Sequence, residues 1–249
     1  MPSEPLQFEQ RAHLAEWMDE PCGYAEFRDC LRDLAKVNRA VFSYRPTLHW
    51  LEKSALRKPA HANRDAPFNN DAPLHIVDVG CGGGDMLRRI ESWAARRNVA
   101  VRLTGIDRNP FAARAAREFS SATSRIEWLS CDAFQYRPTE RIDLVLSSLF
   151  THHLGDAEIV RFLQWMERTA ARGWFVNDLR RERTPYYAFK LLAHAMRWHR
   201  FVRHDGPISV RRSFRPHDWR RYVDEAGLAG DAVTIFDAWP GRLCVARVK

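Results

Sequence analysis

The chain has 249 residues, 45% hydrophobic and 28% charged, enough for one sizeable core and too apolar for a disordered polypeptide. No stretch approaches 18 consecutive apolar residues, and the opening MPSEPLQFEQ lacks a basic region followed by an apolar run, so neither a membrane-spanning helix nor a secretory signal is expected and the expected location is cytoplasmic. Five scattered cysteines (Cys22, Cys30, Cys81, Cys131, Cys244) without a CxxC pair point to reduced thiols and away from a disulfide framework or zinc site.

The formal charge of +8 is unevenly placed. Residues 172–221 hold 13 basic and four acidic side chains, a net of +9, which leaves −1 for the remainder. An excess confined to one segment points to a local task, such as meeting an acidic ligand, a lipid surface or a nucleic acid.

In chain order, residues 1–57 read as a helical cap. Leu31, Leu34, Ala35 and Asn38 keep helical spacing within Tyr24 to Val41, and Leu48, Leu51 and Leu56 resume it after a break at 43–46. Residues 58–73 are proline-rich and aperiodic, so they read as a linker. From 74 to 249 short apolar runs alternate with amphipathic stretches, the pattern of a mostly parallel sheet covered on both faces. The runs are His75 to Val79, Arg102 to Ile106, Ile126 to Leu129, Ile142 to Ser147, Trp174 to Asn177, Val233 to Phe236 and Arg242 to Val248. Helices are expected over Asp85 to Arg97, Pro110 to Ser120, Asp156 to Arg172 and His217 to Ala226. Gly227 ends the last of them.

The run HIVDVGCGGGDML, from His75 to Leu87, is a strand entering a glycine turn that opens a helix. Glycines suit positive φ and close backbone approach, and the following helix start presents free amides. Gly80, Gly82 and Gly84 alternate as GxGxG and Asp85 follows. That is neither the GxGxxG of dinucleotide sites nor a phosphate loop ending in Lys-Ser/Thr. With Asp78 ahead of it, the motif resembles the D/ExGxGxG of the class I S-adenosylmethionine-dependent methyltransferases.

The resemblance implies an α/β fold with a seven-stranded Rossmann-like sheet of order 3-2-1-4-5-7-6, the last strand antiparallel. The cofactor implied is S-adenosylmethionine, leaving as S-adenosylhomocysteine, with no metal. Asp78, Gly80, Cys81, Gly82 and Gly84 would hold the methionine end. Asp107, 29 residues after Asp78, with Arg108 beside it, would take the ribose hydroxyls. Asp132 and Ala133, after the third strand, would take the adenine, and Ser147 and Phe150 would border the cofactor from the fourth.

That fourth strand exits as LSSLFTHHLGD, without the N/D-P-P-Y/F of amino methyltransferases of bases or a Pro-Cys step for pyrimidine carbon chemistry. His152 and His153 are the candidate bases. Drawing the proton from a phenol with pKa near 10 asks for an acceptor that titrates near neutrality. A histidine at this step also serves simply to line a pocket.

An insertion at about 180–215 is expected to form a lid carrying a basic amphipathic helix, with Ala188, Leu191 or Leu192, Ala195, Trp198 and Val202 on its apolar side. Asn177, Tyr186, Tyr187, Phe189 and Trp198 are the acceptor-pocket candidates. The combination of FxHHL, VNDL, YxxFxLL and HDGPxS also resembles bacterial small-molecule methyltransferases of polyketide, phenolic and quinone pathways. O-methylation of an aromatic or polyketide hydroxyl is therefore expected. C-methylation of a quinone or polyketide precursor and RNA methylation are the alternatives. The basic helix could touch a membrane, nucleic acid ranks below that, and the oligomeric state is left open.

Overall fold

The computed structural model describes residues 7–54 and 72–249, so the expected linker lies almost entirely outside the described residues. One sheet contains β1 (Leu74–Val79), β2 (Val101–Asp107), β3 (Glu127–Ser130), β4 (Ile142–Ser148), β5 (Ala170–Leu179), β6 (Val233–Ala238) and β7 (Arg242–Val248). Its order is β3-β2-β1-β4-β5-β7-β6. Strands β1 to β5 pair in parallel, and β7 runs antiparallel to β5 and β6. This is the seven-stranded methyltransferase order.

β1 is buried at all six positions, as a central strand covered on both faces must be. One face packs under α2 (Arg45–Ser54) and α3 (Asp85–Arg97), with Trp50, Leu51, Leu87, Ile90, Trp93 and Phe175 in a single core. The other packs under α5 (Asp156–Thr169) and α8 (Pro216–Glu225), through Val77, Ile159, Phe162, Trp174, Trp219 and Tyr222. Of the N-terminal helices, α2 shares the first of these cores. Trp50 stacks on Phe175 at 5.0 Å between centroids, and α1 (Tyr24–Ala40) lays Phe27 and Leu31 against Ala112 and Ala115 of α4 (Pro110–Phe119).

Two expectations change. β5 begins at Ala170, earlier than its apolar run suggests, and α5 stops before Arg172. Pairing of Ala170 with Ile142 and of Gly173 with Val248 draws this stretch into the sheet, a tertiary override of the helical pattern. The insertion forms two helices, α6 (Arg183–Ala195) and α7 (Arg200–Arg212), separated at Arg197, which takes φ 51. The break resets the helical phase, so only part of the expected stripe forms: Trp198 and Val202 are buried and Leu192 packs with them, while Ala188, Leu191 and Ala195 are exposed. All five cysteines are free.

Candidate functional site

The glycine loop leaves the carboxyl end of β1 and enters α3. Gly80 and Gly84 take φ 72 and 73. A Cβ at Gly80 would stand 2.4 Å from the Phe150 ring, and one at Gly84 would stand 2.2 Å from Trp128. Both positions therefore need glycine to seat the chain's own aromatic rings, a demand that sequence spacing does not reveal. Cys81 is buried, and burial pushes its thiol well up. This holds it protonated and inert.

Asp78, Asp107 and Asp132 stand at or just beyond the carboxyl ends of three neighbouring strands, which lie about 4.8 Å apart. Asp107 accepts the Gly82 amide at 3.0 Å through Oδ2 and the Asn109 amide at 2.9 Å through Oδ1. A carboxylate has about four acceptor positions, so two remain for ligand hydroxyls. Burial raises its pKa against those two amides. Arg108 is exposed, as is Asp132, whose Oδ1 takes the Phe134 amide at 2.8 Å; Ala133 is buried.

Asp78 is the unusual member. It is 2% exposed, and its Oδ1 has no hydrogen-bond partner among the described residues. Burial first, then the charges of Asp85 and Asp107, push its pKa well above the usual carboxylate range. Such a group is costly unless a cation or donor meets it. The ammonium of an amino-acid ligand fits that demand, with the loop amides and Asp107 beside it. Asp85, at the start of α3, accepts from Tyr44 Oη at 2.7 Å and Asn38 Nδ2 at 2.9 Å, which latches the N-terminal helices to the loop.

Past β4, Leu149 takes φ 56 and a single helical turn, Thr151–His153, follows. His152 is buried and donates from Nδ1 to Asp178 Oδ1 at 2.7 Å. Asp178, near the end of β5, also accepts from Thr151 Oγ1 at 2.6 Å, the His152 amide at 3.1 Å and the Leu179 amide at 2.7 Å. Burial alone would raise its pKa, but attraction to His152 and these bonds hold it well below the usual range. A carboxylate fixed on Nδ1 sets the tautomer that leaves Nε2 as the acceptor. No partner for Nε2 occurs among the described residues.

His153 faces a second network. Its Nδ1 stands 3.2 Å from Asp19 and its Nε2 3.9 Å from Glu16. Glu16 is buried, which raises its pKa, and it accepts from Ser209 at 2.9 Å with Arg212 at 3.5 Å. Glu16, His152 and His153 bring donor atoms within 4.8 Å of one another, and Arg212 already supplies a positive charge 3.5 Å from Glu16. Arg11 straps the N-terminal segment over this corner, donating to Asp156 at 2.7 Å and to the Leu154 carbonyl at 3.0 Å. Sequence reasoning missed Glu16, Asp19, Arg11 and the role of Asp178, because each contact joins residues far apart in the chain.

Ser147 and Asn177 are buried and engaged. Ser147 donates to the Val79 carbonyl at 3.2 Å; Asn177 donates to the Ser43 carbonyl at 2.8 Å and to Thr47 at 3.1 Å. Beside them Arg242 is 2% exposed and donates to Ser43 through Nη2, while its Nη1 has no partner among the described residues. The expected aromatic pocket is redistributed. Tyr186 packs with Phe8 and Val210, Trp198 packs with Cys30 and Val37, and the Phe189 ring lies against Gly206 and Trp198. Tyr187 faces outward at 54% exposure. Once the insertion breaks into two helices, these rings serve packing between α1, α6 and α7.

Residues 76–173 match the family model described as "Methyltransferase domain". A trans-aconitate 2-methyltransferase of Streptomyces avermitilis is 28% identical over 131 residues, 51% of this chain and 47% of its own length. The chain thus spans about half the length of the curated relatives it matches. Among solved structures, a plantazolicin methyltransferase in complex with SAH superposes with TM-score 0.59 at 12% identity, covering 90% of this chain and 95% of that one. Human N-acetylserotonin methyltransferase in complex with SAM gives TM-score 0.60 at 15% identity, over 91% and 56%. Residues 76–173 are therefore similar to a methyltransferase domain, and the chain has the seven-stranded fold of the S-adenosylmethionine-dependent methyltransferases.

Proposed function

We propose that this protein is a cytoplasmic enzyme that transfers a methyl group from S-adenosylmethionine to an oxygen atom of a small-molecule acceptor, with His152 as proton acceptor and Asp178 as its positioning residue. The observation that carries the reading is the buried 2.7 Å bond from His152 to Asp178, one turn beyond the Phe150 ring that covers the glycine loop. When bound, S-adenosylmethionine supplies a methyl already activated on a sulfonium. The chain then has to position and deprotonate the acceptor. Asp78 meets the ligand's ammonium, Asp107 its ribose hydroxyls, and Asp132 with the Ala133 amide its adenine. Residues 74–249 form the methyltransferase domain in this reading, and residues 1–57 cap it.

Arg242 favours a second reading of the acceptor. A buried guanidinium whose Nη1 has no partner among the described residues, close to the start of α2, suits a carboxylate, and one relative is named for trans-aconitate, a carboxylate. A carboxylate is already ionised at neutral pH and needs no base. Transfer to carboxylates would then be indifferent to loss of His152, and transfer to phenols would not.

Calorimetric titration with S-adenosylmethionine tests the premise common to both acceptors. The wild type should bind, and Asp107→Ala should bind at least about tenfold more weakly, since a hydrogen bond to a charged group contributes about 1.5–3 kcal/mol. No binding by the wild type, or undiminished binding by the variant, would remove the cofactor assignment.

A further inference from the structure

We propose that the outer face of α6, together with the tip of the β6–β7 hairpin, is a docking surface for an anionic lipid bilayer. The four most exposed large apolar side chains among the described residues are Trp239 at 77%, Leu191 at 74%, Met196 at 56% and Tyr187 at 54%. Three belong to α6 or the residue that caps it. Trp239 belongs to the hairpin, and a Cβ on the hairpin's Gly241 would stand 3.1 Å from Pro185 in the first turn of α6. The hairpin tip and the helix are therefore neighbours. Scattered exposed apolar residues are ordinary on a protein surface, but their concentration on adjoining elements marks an interaction site.

The charge around them selects the occupant. Residues 183–204 contain Arg183, Lys190, Arg197, Arg200 and Arg203 and no aspartate or glutamate. Arg183, Lys190 and Arg197 are exposed and have no ion pair within 4 Å among the described residues. Arg183, Tyr187, Lys190, Leu191 and His194 recur at three- and four-residue steps, so they share one side of the helix. The centre of a protein–protein interface is depleted of charge. Arg183 and Lys190 interleaved with Tyr187 and Leu191 on one side of α6, with Trp239 on the adjoining hairpin, instead match a helix lying in the headgroup layer, its aromatic tips wet and its basic side chains on anionic lipid. None of the described helices is long and apolar enough to cross a membrane, which fits attachment at the surface. α6 starts just past the end of β5, at Arg183, so docking holds the acceptor side of the sheet near the bilayer. The proposal does not depend on which atom is methylated.

Co-sedimentation of the full chain with phosphatidylcholine vesicles, with and without phosphatidylglycerol, tests it. The wild type should pellet with the anionic vesicles and be released by salt. The double variant Leu191→Glu/Trp239→Glu should partition at least tenfold less with an unchanged circular dichroism spectrum, and Lys190→Gln/Arg197→Gln should weaken binding to the anionic vesicles alone. Absence of binding, equal binding by the apolar variant, or equal binding to neutral vesicles would overturn the proposal. So would a concentration-dependent dimer that the same apolar variant abolishes, which would assign the face to a second copy of the chain.

Discussion

Asp78→Asn is expected to make the ligand-free protein more heat-stable while depriving it of its cofactor. The wild-type carboxyl is buried, its Oδ1 has no partner among the described residues, and it is pushed well above the usual range by burial and by Asp85 and Asp107. A carboxyl raised in the folded state costs stability as pH climbs from the unfolded value, about 3.9, through the folded one. Asparagine removes that cost. Each pKa unit of such a raise costs about 1.4 kcal/mol at neutral pH, and each kcal/mol moves the midpoint by about 2–4 °C at this chain length. The advantage of the variant should be largest at pH 7 and shrink toward pH 4. Its affinity for S-adenosylmethionine should fall about 10- to 100-fold, so the cofactor-induced rise in midpoint should disappear at concentrations that shift the wild type. Scanning calorimetry at two pH values, with and without cofactor, reads all three effects. A variant that is less stable when ligand-free, or equally stabilised by the cofactor, would mean that Asp78 serves the fold and does not meet the ligand.

The largest kinetic effect should come from the histidine corner. His152→Gln should lower kcat for a hydroxyl acceptor by about 10²- to 10⁴-fold, the usual contribution of a positioned base, while cofactor affinity stays within a few-fold. His153→Gln should cost far less, because Asp19 and Glu16 hold that ring in a charge network away from Asp178. Asp178→Asn tests positioning separately. An amide opposite Nδ1 no longer enforces the tautomer that leaves Nε2 free, so the pH–rate profile should change shape as well as height. The same variant should alter acid stability. A carboxyl held low in the folded state contributes stability that is present above about pH 4 and lost as pH falls through the depressed value. The wild type should therefore lose stability below pH 4 more steeply than Asp178→Asn. Equal kcat in wild type and His152→Gln would leave His152 a pocket-lining residue.

The two halves of the site differ in how far the sequence discloses them. The proposed cofactor half is written in local order: a strand, a glycine turn, then acids closing two further strands, so Asp78, Asp107 and Asp132 could be named from the motif and the family it resembles. What spacing could not reveal is that Gly80 and Gly84 answer to Phe150 and Trp128, since those contacts exist only once β3 and β4 flank β1. The acceptor half is assembled from distant segments. Arg11 and Glu16 come from the N-terminal segment, Asn177 and Asp178 from β5, and Arg242 from β7. The periodicity of the insertion reads as one continuous helix, but Arg197 in the left-handed region ends α6, and Tyr186 and Trp198 are packing residues. Helical periodicity shows that a face is apolar and is silent about what it covers.

The most direct test of methyl transfer to oxygen under His152 uses S-adenosylmethionine carrying a ¹³C methyl, a panel of phenols and carboxylates, and carbon NMR of the products. A methyl on oxygen is expected, with transfer to phenols lost in His152→Gln and transfer to any accepted carboxylate retained. A methyl on carbon or nitrogen, or phenol methylation at the wild-type rate in His152→Gln, would contradict that expectation.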